Sequence, residues 1–353
     1  MTVAMGDGNP AARIMLVGEA WGENEEREGR PFVGVSGQEL SRMLHEAGIM
    51  RSETYATNLV NARPPNNDLG AWVAMKKKDI SPKHNMLKDR WVLPIVSEGY
   101  TSLLKEIAII KPNVIIAFGN FAMWALTGKW GILAWRGSQL TSDLFPYTLG
   151  QRKVIPTIHP AAVLREYSLR RAVIQDLKRA ANERNTETYS NIPERNFIIR
   201  PSLETVLNTL ATLAGRAQVA GQLWVEFDLE TSPVHITCAG ISWSRADALC
   251  IPVTCSDGTN YWTEDEEAIV IYALYKFLTN PKIWIRGQNL LYDAQHTYRH
   301  WHFVPNVRQD TMIAHHSMLA GLPKSLSYQA SLYCDFYSYW KTMHKDVSNK
   351  VGA

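Results

Sequence analysis

The sequence has no long hydrophobic run and no N-terminal targeting pattern. No apolar stretch reaches the roughly 20 residues that span a membrane, and no basic segment near the start is followed by an apolar one. We therefore expect neither a transmembrane helix nor a secretory signal. The expected location is the cytoplasm, that of the host if the chain is viral, with no membrane partner.

Cysteines are also few, and their spacing is unfavourable for a metal site. The chain has four (Cys238, Cys250, Cys255 and Cys334), and none belongs to a C-x-x-C pair. Structural disulfides are rare in cytoplasmic proteins, and structural zinc and iron–sulfur sites use closely spaced cysteines. We expect these cysteines to form no disulfide, zinc site or cluster.

The overall composition is that of a globular protein, but the charge is unevenly distributed. A chain of 353 residues with 46% hydrophobic residues is long enough for two domains, or three small ones. Residues 1–200 carry a net charge of +6, and residues 201–353 carry −3. This asymmetry fits a nucleic-acid surface joined to a metal-binding carboxylate site, and it also fits two unrelated domains.

The first part of the chain alternates apolar strands with helical segments. Such alternation predicts a mainly parallel α/β sandwich, which we assign to residues 1–184. Residues 68–98 interrupt it with a polar, lysine-rich excursion that we interpret as a solvated loop, with phosphate contact as the alternative. The predicted strands are 14–17, 55–60, 114–118 and 154–158.

Three loops that follow these strands carry polar residues and a lone aromatic. The first contains GEAWG at residues 18–22, then Glu25, then Phe32 within GRPFVG. In a doubly wound sheet, ligands bind beyond the carboxyl ends of the strands, where such loops meet. From spacing alone, a surface loop with solvated glutamates and a core Phe32 is an equally good interpretation.

The order and spacing of three motifs resemble the family-4-type uracil-DNA glycosylases. Besides the first loop, residues 58–65 resemble the strand that leads into an Arg-Pro-Pro motif, and residues 159–165 resemble a His-Pro-x-x-x-Leu-Arg loop. Together the motifs cover most of residues 12–182. The resemblance implies a three-layer α/β/α fold that acts on uracil flipped out of DNA.

The resemblance also implies roles for single residues. Phe32 would stack on the uracil, and Asn58 would read its polar edge. His159 would stabilise the negative charge on the departing base. A carboxylate would position water at the sugar carbon, with Glu19 and Glu25 as the candidates.

Three further residues are implied to contact DNA. Leu164 and Arg165 would enter the gap left by the flipped base, as an apolar wedge beside a phosphate-binding cation. Arg63, in the Arg-Pro-Pro motif, is the third.

The chain departs from the family at several positions. The family holds an iron–sulfur cluster with four cysteines, but Ala62 and Gly99 stand where two of these belong. No cluster is therefore expected here. Trp21 replaces the usual proline and is expected to fill or reshape the mouth of the pocket.

Residues 185–201 form a predicted linker, and residues 202–353 a second α/β domain. Ser202 is predicted to cap a helix. The strand at 223–231 places Asp228 and Glu230 on one face, because side chains alternate along a strand. Two adjacent carboxylates repel each other unless a cation binds them.

A second resemblance concerns this domain. Asp228 and Glu230, then Asn289 and Asp293 four residues apart on a predicted helix, resemble the DEDD 3′–5′ exonuclease domain of polymerase-I-like DNA polymerases. It implies a ribonuclease-H-like fold in which Asp228, Glu230 and Asp293 bind Mg²⁺ or Mn²⁺, with Asn289 close to DNA. The last motif, Tyr-x-x-x-Asp or His-x-x-x-x-Asp, is absent, so the domain is incomplete; Asp310 is a weaker candidate for completing the set.

These patterns together predict a DNA-processing protein. It joins a uracil-DNA-glycosylase-like module to a 3′–5′ exonuclease module, as in the N-terminal part of phage-type DNA polymerases. DNA is the expected partner, with a separate polymerase chain as a further candidate. The alternative is a non-catalytic DNA-binding module with an inert exonuclease remnant.

Overall fold

The computed structural model describes residues 6–144, 150–232 and 235–341, which form two compact units. The first unit comprises the chain up to Ile192 together with the residues from Ser327 onward, and the second comprises Pro193–Leu326. The change of unit at Ile192 falls within the predicted linker. No helix in the described ranges has both the length and the apolar character needed to cross a membrane.

The first unit is built on a six-stranded sheet. Its strands, with those of a small three-stranded sheet, are β1 (Asp7–Gly8), β2 (Ile14–Ala20), β3 (Thr54–Val60), β4 (Val73–Ala74), β5 (Asn85–Leu87), β6 (Arg90–Val92), β7 (Val114–Phe118), β8 (Leu140–Thr141) and β9 (Lys153–Thr157). The large sheet has the order β1-β3-β2-β7-β9-β8, with the four inner strands parallel and both edge strands antiparallel. Strands β3 and β7 are buried at every position, as expected of parallel strands covered on both faces.

Helices cover both faces of this sheet. They are α1 (Glu23–Glu28), α2 (Val35–Glu46), α3 (Pro94–Ile110), α4 (Asn120–Thr127), α5 (Ile132–Trp135), α6 (Pro160–Arg165) and α7 (Arg170–Glu183). Met15 packs in a core with α3 and α4, whereas the next residue, Leu16, packs in a separate core with α2 and α7. This alternation confirms the predicted three-layer α/β/α fold.

The excursion at residues 68–98 is not the solvated loop that we predicted. Strands β4, β5 and β6 form a small antiparallel sheet within it, and the residues from Pro94 onward belong to α3. Leu69, Val73 and Val92 are at most 4% exposed and join the core beside α3. Apolar residues scattered among lysines thus face inward, while the lysines at 76–78 stay exposed.

The second unit has a six-stranded mixed sheet. Its strands are β10 (Asn196–Ile199), β11 (Leu223–Thr231), β12 (Ile236–Ser242), β13 (Asp247–Pro252), β14 (Ile283–Gly287) and β15 (Val307–Asp310), in the order β10-β13-β12-β11-β14-β15. Strands β11 to β13 form an antiparallel meander, and β10, β14 and β15 pair in parallel with their neighbours.

Helices α8 (Leu203–Ala220), α9 (Glu264–Leu278), α10 (Leu290–Trp301) and α11 (Thr311–Met318) complete the second unit. Ser202 caps α8 as predicted, since its Oγ accepts the backbone N–H of Thr205 at 3.2 Å. Alternate residues of β11, such as Phe227, enter the core and leave Asp228 on the exposed face.

The end of the described chain belongs to the first unit, unlike the predicted 202–353 domain. Helix α12 spans Leu326–Tyr333. The guanidinium of Arg136 donates to Ser331 Oγ at 2.6 Å, and that of Arg179 donates to the carbonyls of Ser331 and Cys334 at 3.1 and 2.9 Å. Both arginines are at most 4% exposed, and buried guanidinium groups need acceptors.

If the excursion contributes to the core, Leu69→Ala will destabilise the protein by about 2–5 kcal/mol, because it leaves a cavity in packed surroundings. The measurement is the free energy of unfolding in urea, followed by fluorescence and circular dichroism. Met86→Ala is the control, because Met86 lies in the same excursion and is 52% exposed; we expect a change within about 0.5 kcal/mol. Equal effects of the two variants would restore the solvated-loop interpretation.

Candidate functional site

A cavity of about 370 Å³ lies at the carboxyl edge of the parallel strands in the first unit. The strand ends bring together side chains that are far apart in sequence. Six of the predicted site residues line this cavity: Glu19, Glu25, Phe32, Asn58, His159 and Arg165. Trp21 lines it as well and is 9% exposed.

Phe32 forms one wall in an unusual backbone conformation. Its φ of 56° lies in the left-handed region that aromatic residues rarely adopt. A Cβ atom at Gly37 would collide with the Phe32 carbonyl, so only glycine lets α2 pack this closely against the loop. The ring contacts Phe118 edge-on at 5.6 Å between centroids and stacks with His159 at 6.2 Å.

Asn58 lies opposite Gly18 on the neighbouring strand. A Cβ atom at Gly18 would collide with Asn58 Oδ1 and would lie 2.9 Å from the ring of Phe32. The glycine thus leaves room for both side chains. Asn58 is 4% exposed, and its Nδ2 donates to Asn61 Oδ1 at 3.2 Å.

His159 follows β9 and begins α6. Its Nδ1 accepts the backbone N–H of Ala161 at 3.2 Å, so the neutral ring carries its proton on Nε2. The pKa of His159 is lowered to about 4, mainly by burial; the carboxylate of Glu25 opposes this shift, and Arg165 adds to it. At neutral pH the ring is therefore an uncharged hydrogen-bond donor.

The two candidate carboxylates have different surroundings. Glu19 Oε1 accepts the N–H of Phe121 at 3.0 Å, at the start of α4. Burial raises the pKa of Glu19, and the N–H groups of Phe121 and Asn120 oppose this. Its second oxygen has no hydrogen-bond partner among the described residues.

Glu25, in contrast, is committed to the backbone of its own loop. Its Oε1 accepts the N–H groups of Val33 and Gly34 at 3.1 and 3.2 Å, and its Oε2 accepts that of Gly22 at 3.2 Å. These bonds fix the loop that carries Phe32. The geometry therefore favours Glu19 over Glu25 as the residue that positions water.

The remaining predicted DNA contacts lie outside the cavity lining. Leu164, on α6 beside Arg165, is 46% exposed. Arg63 donates to Asn67 Oδ1 at 2.8 Å and lies within 3.6 Å of Glu23 and Glu26.

Carboxylates also converge in the second unit, where β11 meets α10. Asp228 and Glu230 are exposed on one face of β11. Asp293 is 3% exposed, and its Oδ1 accepts the N–H of Leu229 at 2.8 Å. The pKa of Asp293 is raised to about 6, mainly by burial; the N–H of Leu229 opposes this shift, and the carboxylates of Asp228 and Asp310 add to it.

The carboxylate of Asp310 is hydrogen-bonded to the backbone. It accepts the N–H groups of Asn289 and Leu290 at 3.1 and 2.8 Å and caps α11 through Met312 at 2.8 Å. Asn289, with φ of 59°, begins α10 at this point. These bonds hold Asp310 to the backbone, and its role as the missing ligand stays a prediction.

The predicted Mg²⁺ or Mn²⁺ site of Asp228, Glu230 and Asp293 is not assembled. Among residues 6–144, 150–232 and 235–341, no group of three or more histidine, cysteine, aspartate or glutamate side chains is arranged to hold a metal ion. One reason is that Asp293 turns an oxygen toward the backbone of β11. The arrangement of Asp228, Glu230 and Asp293 thus gives no support of its own to the metal site, which stays a prediction.

Residues 5–179 match the family model of the uracil DNA glycosylase superfamily. The type-4 uracil-DNA glycosylase of Thermotoga maritima is 37% identical over 182 residues, which are 50% of this chain and 81% of the relative. The chain belongs to the uracil DNA glycosylase superfamily. The type-4 enzyme of Saccharolobus solfataricus is 34% identical over 180 residues, covering 49% of this chain and 72% of that protein.

Other proteins are also similar to parts of this chain. The DNA polymerase of Bacillus phage SP01 is 29% identical over 188 residues, 53% of this chain but only 17% of the polymerase. Among solved structures, Escherichia coli RNase D gives a TM-score of 0.31 at 11% identity, over 43% of this chain and 36% of that one. The EXD2 exonuclease domain soaked in Mg and dGMP gives 0.25 at 13% identity, over 44% and 86%.

The four-cysteine iron–sulfur cluster implied by the family resemblance does not fit the residues of this chain. Ala62 and Gly99 carry no thiol, and a Cβ atom at Gly99 would collide with the carbonyl of Leu59.

Sequence reasoning missed the buried polar residues behind the cavity, namely Thr57, Asn61 and Glu106. Glu106 lies on the same face of α3 as Leu103 and Ile107, and all three are at most 2% exposed. A single carboxylate on an otherwise apolar helix face was the available signal, because buried charges require partners.

If His159 is neutral in the folded protein, its ring NMR resonances will stay constant between pH 8 and 5 and will shift only near pH 4. The unfolded chain in urea is the reference, where a histidine titrates near pH 6.5. Because protonation favours the unfolded state, this residue will also make stability fall as pH drops from about 6.5 toward 4. A midpoint near 6.5 in the folded protein would contradict the burial argument.

Proposed function

We propose that the first unit excises uracil from DNA. The observation that carries this proposal is one cavity lined by an aromatic ring, an amide, a neutral histidine and a half-buried carboxylate. A base flipped into it would stack on Phe32 and meet the amide of Asn58. The relatives named type-4 uracil-DNA glycosylases support uracil as that base.

In the proposed reaction, the bond between uracil and its sugar breaks as water attacks the sugar carbon. Negative charge develops on the leaving uracil, and the Nε2–H of His159 donates a hydrogen bond to it. Glu19, anchored through one oxygen, orients the water with the other. A neutral His159 suits this role because its donor is available without the cost of burying a charged ring.

DNA would be held around the cavity by residues at its mouth. Exposed Leu164 would fill the space vacated by the flipped base, and Arg165 would contact a phosphate. Arg63 would contribute to DNA binding by releasing the carboxylates of Glu23 and Glu26 and binding a phosphate instead. The net positive charge of the first 200 residues supports an anionic partner.

The test is incubation of the protein with labelled single-stranded DNA that contains one uracil, without metal, followed by alkali. We expect cleavage at the uracil, reduced by about 100-fold or more in Glu19→Gln and in His159→Ala. Glu28→Gln is the matched control, since Glu28 is the last residue of α1 and does not line the cavity, and it should retain activity. Intact DNA that is still bound in a gel shift would favour the non-catalytic DNA-binding module.

We further propose that the second unit is a 3′–5′ exonuclease module with an incomplete ligand set, joined to the glycosylase as in the N-terminal part of a phage-type DNA polymerase. The paired carboxylates Asp228 and Glu230 beside buried Asp293 support this, and the likeness to a phage DNA polymerase fits it. A separate polymerase chain is the partner that this organisation calls for.

This second proposal predicts that Mg²⁺ or Mn²⁺ will not promote degradation of 3′ ends by the chain alone. The measurement is the length of 5′-labelled single-stranded DNA after incubation with each ion, with Asp228→Ala as the comparison. We expect equal lengths with both proteins. Metal-dependent shortening of the DNA that disappears in Asp228→Ala would contradict the proposal that the ligand set is incomplete.

A further inference from the structure

A line of buried hydrogen bonds leads from a carboxylate in α3 to the amide of Asn58. Glu106 Oε1 accepts from the Thr57 hydroxyl at 3.1 Å. The same hydroxyl oxygen accepts from Asn61 Nδ2 at 3.1 Å, and Asn61 Oδ1 accepts from Asn58 Nδ2 at 3.2 Å. All four side chains are at most 8% exposed.

Glu106 sets the direction of these bonds because a carboxylate only accepts. Its Oε2 is occupied by the Tyr55 hydroxyl at 2.8 Å and the N–H of Gly6 at 3.0 Å. Burial raises the pKa of Glu106 overall, and the hydrogen bonds from Tyr55, Gly6 and Thr57 oppose this shift. Three donors and no acceptor around the group favour the ionised form.

Each following bond is then determined. The Thr57 hydroxyl has one hydrogen, which goes to Glu106, so its oxygen can only accept from Asn61. Asn61 must present Nδ2 to Thr57 and therefore Oδ1 to Asn58. Asn58 must in turn give Nδ2 to Asn61, because the opposite orientation would place two amide oxygens against each other.

The consequence lies at the cavity wall. Asn58 lines the cavity, and its Oδ1 accepts no hydrogen bond from the described residues. Asn58 Nδ2 keeps a second hydrogen, and the atom of this amide that is fixed as an acceptor for a ligand is Oδ1. A base that presents a ring N–H can pair with it, whereas a base that presents a lone pair at that position cannot.

We propose that Glu106, Thr57 and Asn61 act as positioning residues that lock the Asn58 amide, so that the cavity selects bases with a ring N–H donor. Uracil, with its N3–H, meets this requirement, and cytosine, with an unprotonated N3, does not. The inference rests on the proposed function and explains its selectivity. None of the three residues needs to touch the base.

The test is the isosteric change Glu106→Gln, which reverses the donor-to-acceptor direction of the hydrogen bonds from residue 106 to Asn58. Tyr55 and Gly6 both require the side-chain oxygen, so the new amide nitrogen faces Thr57 and donates to it. Thr57 then donates to Asn61, Asn61 to Asn58 Oδ1, and Asn58 offers Nδ2 to the cavity. A donor fixed at this position of the cavity can pair with the unprotonated N3 of cytosine, so the variant should favour cytosine over uracil.

The readout is the ratio of dissociation constants for two single-stranded oligonucleotides that differ only in one uracil or cytosine, measured with all variants in a Glu19→Gln background. We expect a preference for uracil of about tenfold or more, and its loss in Glu106→Gln. Asn61→Ala, which removes the anchor of Asn58, should also abolish the preference. It provides a second route should Glu106→Gln fail to fold.

Tyr55→Phe is the matched control. It removes a hydrogen bond to the other oxygen of Glu106 and leaves the line to Asn58 intact, so stability should fall while the uracil preference persists. An unchanged preference in folded Glu106→Gln or Asn61→Ala would overturn the positioning role alone. If the protein without substitutions at Glu106, Asn61 and Tyr55 shows neither uracil excision nor a preference for uracil, the proposed function itself is overturned.

Discussion

The contact between the backbone of Phe32 and Gly37 is the constraint on which the cavity depends. Helix α2 can begin against the Phe32 carbonyl only because residue 37 has no side chain. This packing holds Phe32 at positive φ, a conformation that costs of order 1–3 kcal/mol and persists only when its surroundings enforce it. The ring is thereby placed between Phe118 and His159 and over Gly18, and every other cavity residue is arranged around it.

Three glutamates support this arrangement in different ways. Glu25 binds three backbone N–H groups and shapes the loop. Glu106 binds two hydroxyls and one N–H group behind the strand. Glu19 is anchored at the start of α4 through one oxygen. Glu25 and Glu106 thus use both oxygens to hold structure, whereas Glu19, which uses one, is the carboxylate that we propose to act on water.

Much of the candidate site in the first unit could be predicted from sequence, because parallel strands end at a common edge and loops there must converge. That rule, with three motifs, brought Glu19, Phe32, Asn58 and His159 into one cavity. The Thr57–Asn61–Glu106 line was missed because it depends on which helix face meets which strand. Residues 68–98 were misinterpreted because their lysines dominated the composition, although Leu69, Val73 and Val92 decided the packing. In the second unit, residue types suggested a metal site, but the backbone bonds of Asp293 and Asp310 could be seen only in three dimensions.

The first unit is assembled from two stretches of chain that are separated by the whole second unit. Arg136 and Arg179 complete their hydrogen bonds only with Ser331 and Cys334. During synthesis at roughly 5–20 residues per second, the intervening chain takes on the order of ten seconds to emerge. For that interval, the nascent first unit has a sheet and a cavity but also two guanidinium groups that still lack some of their final acceptors. The order of synthesis therefore makes the glycosylase-like unit begin to fold first and finish last.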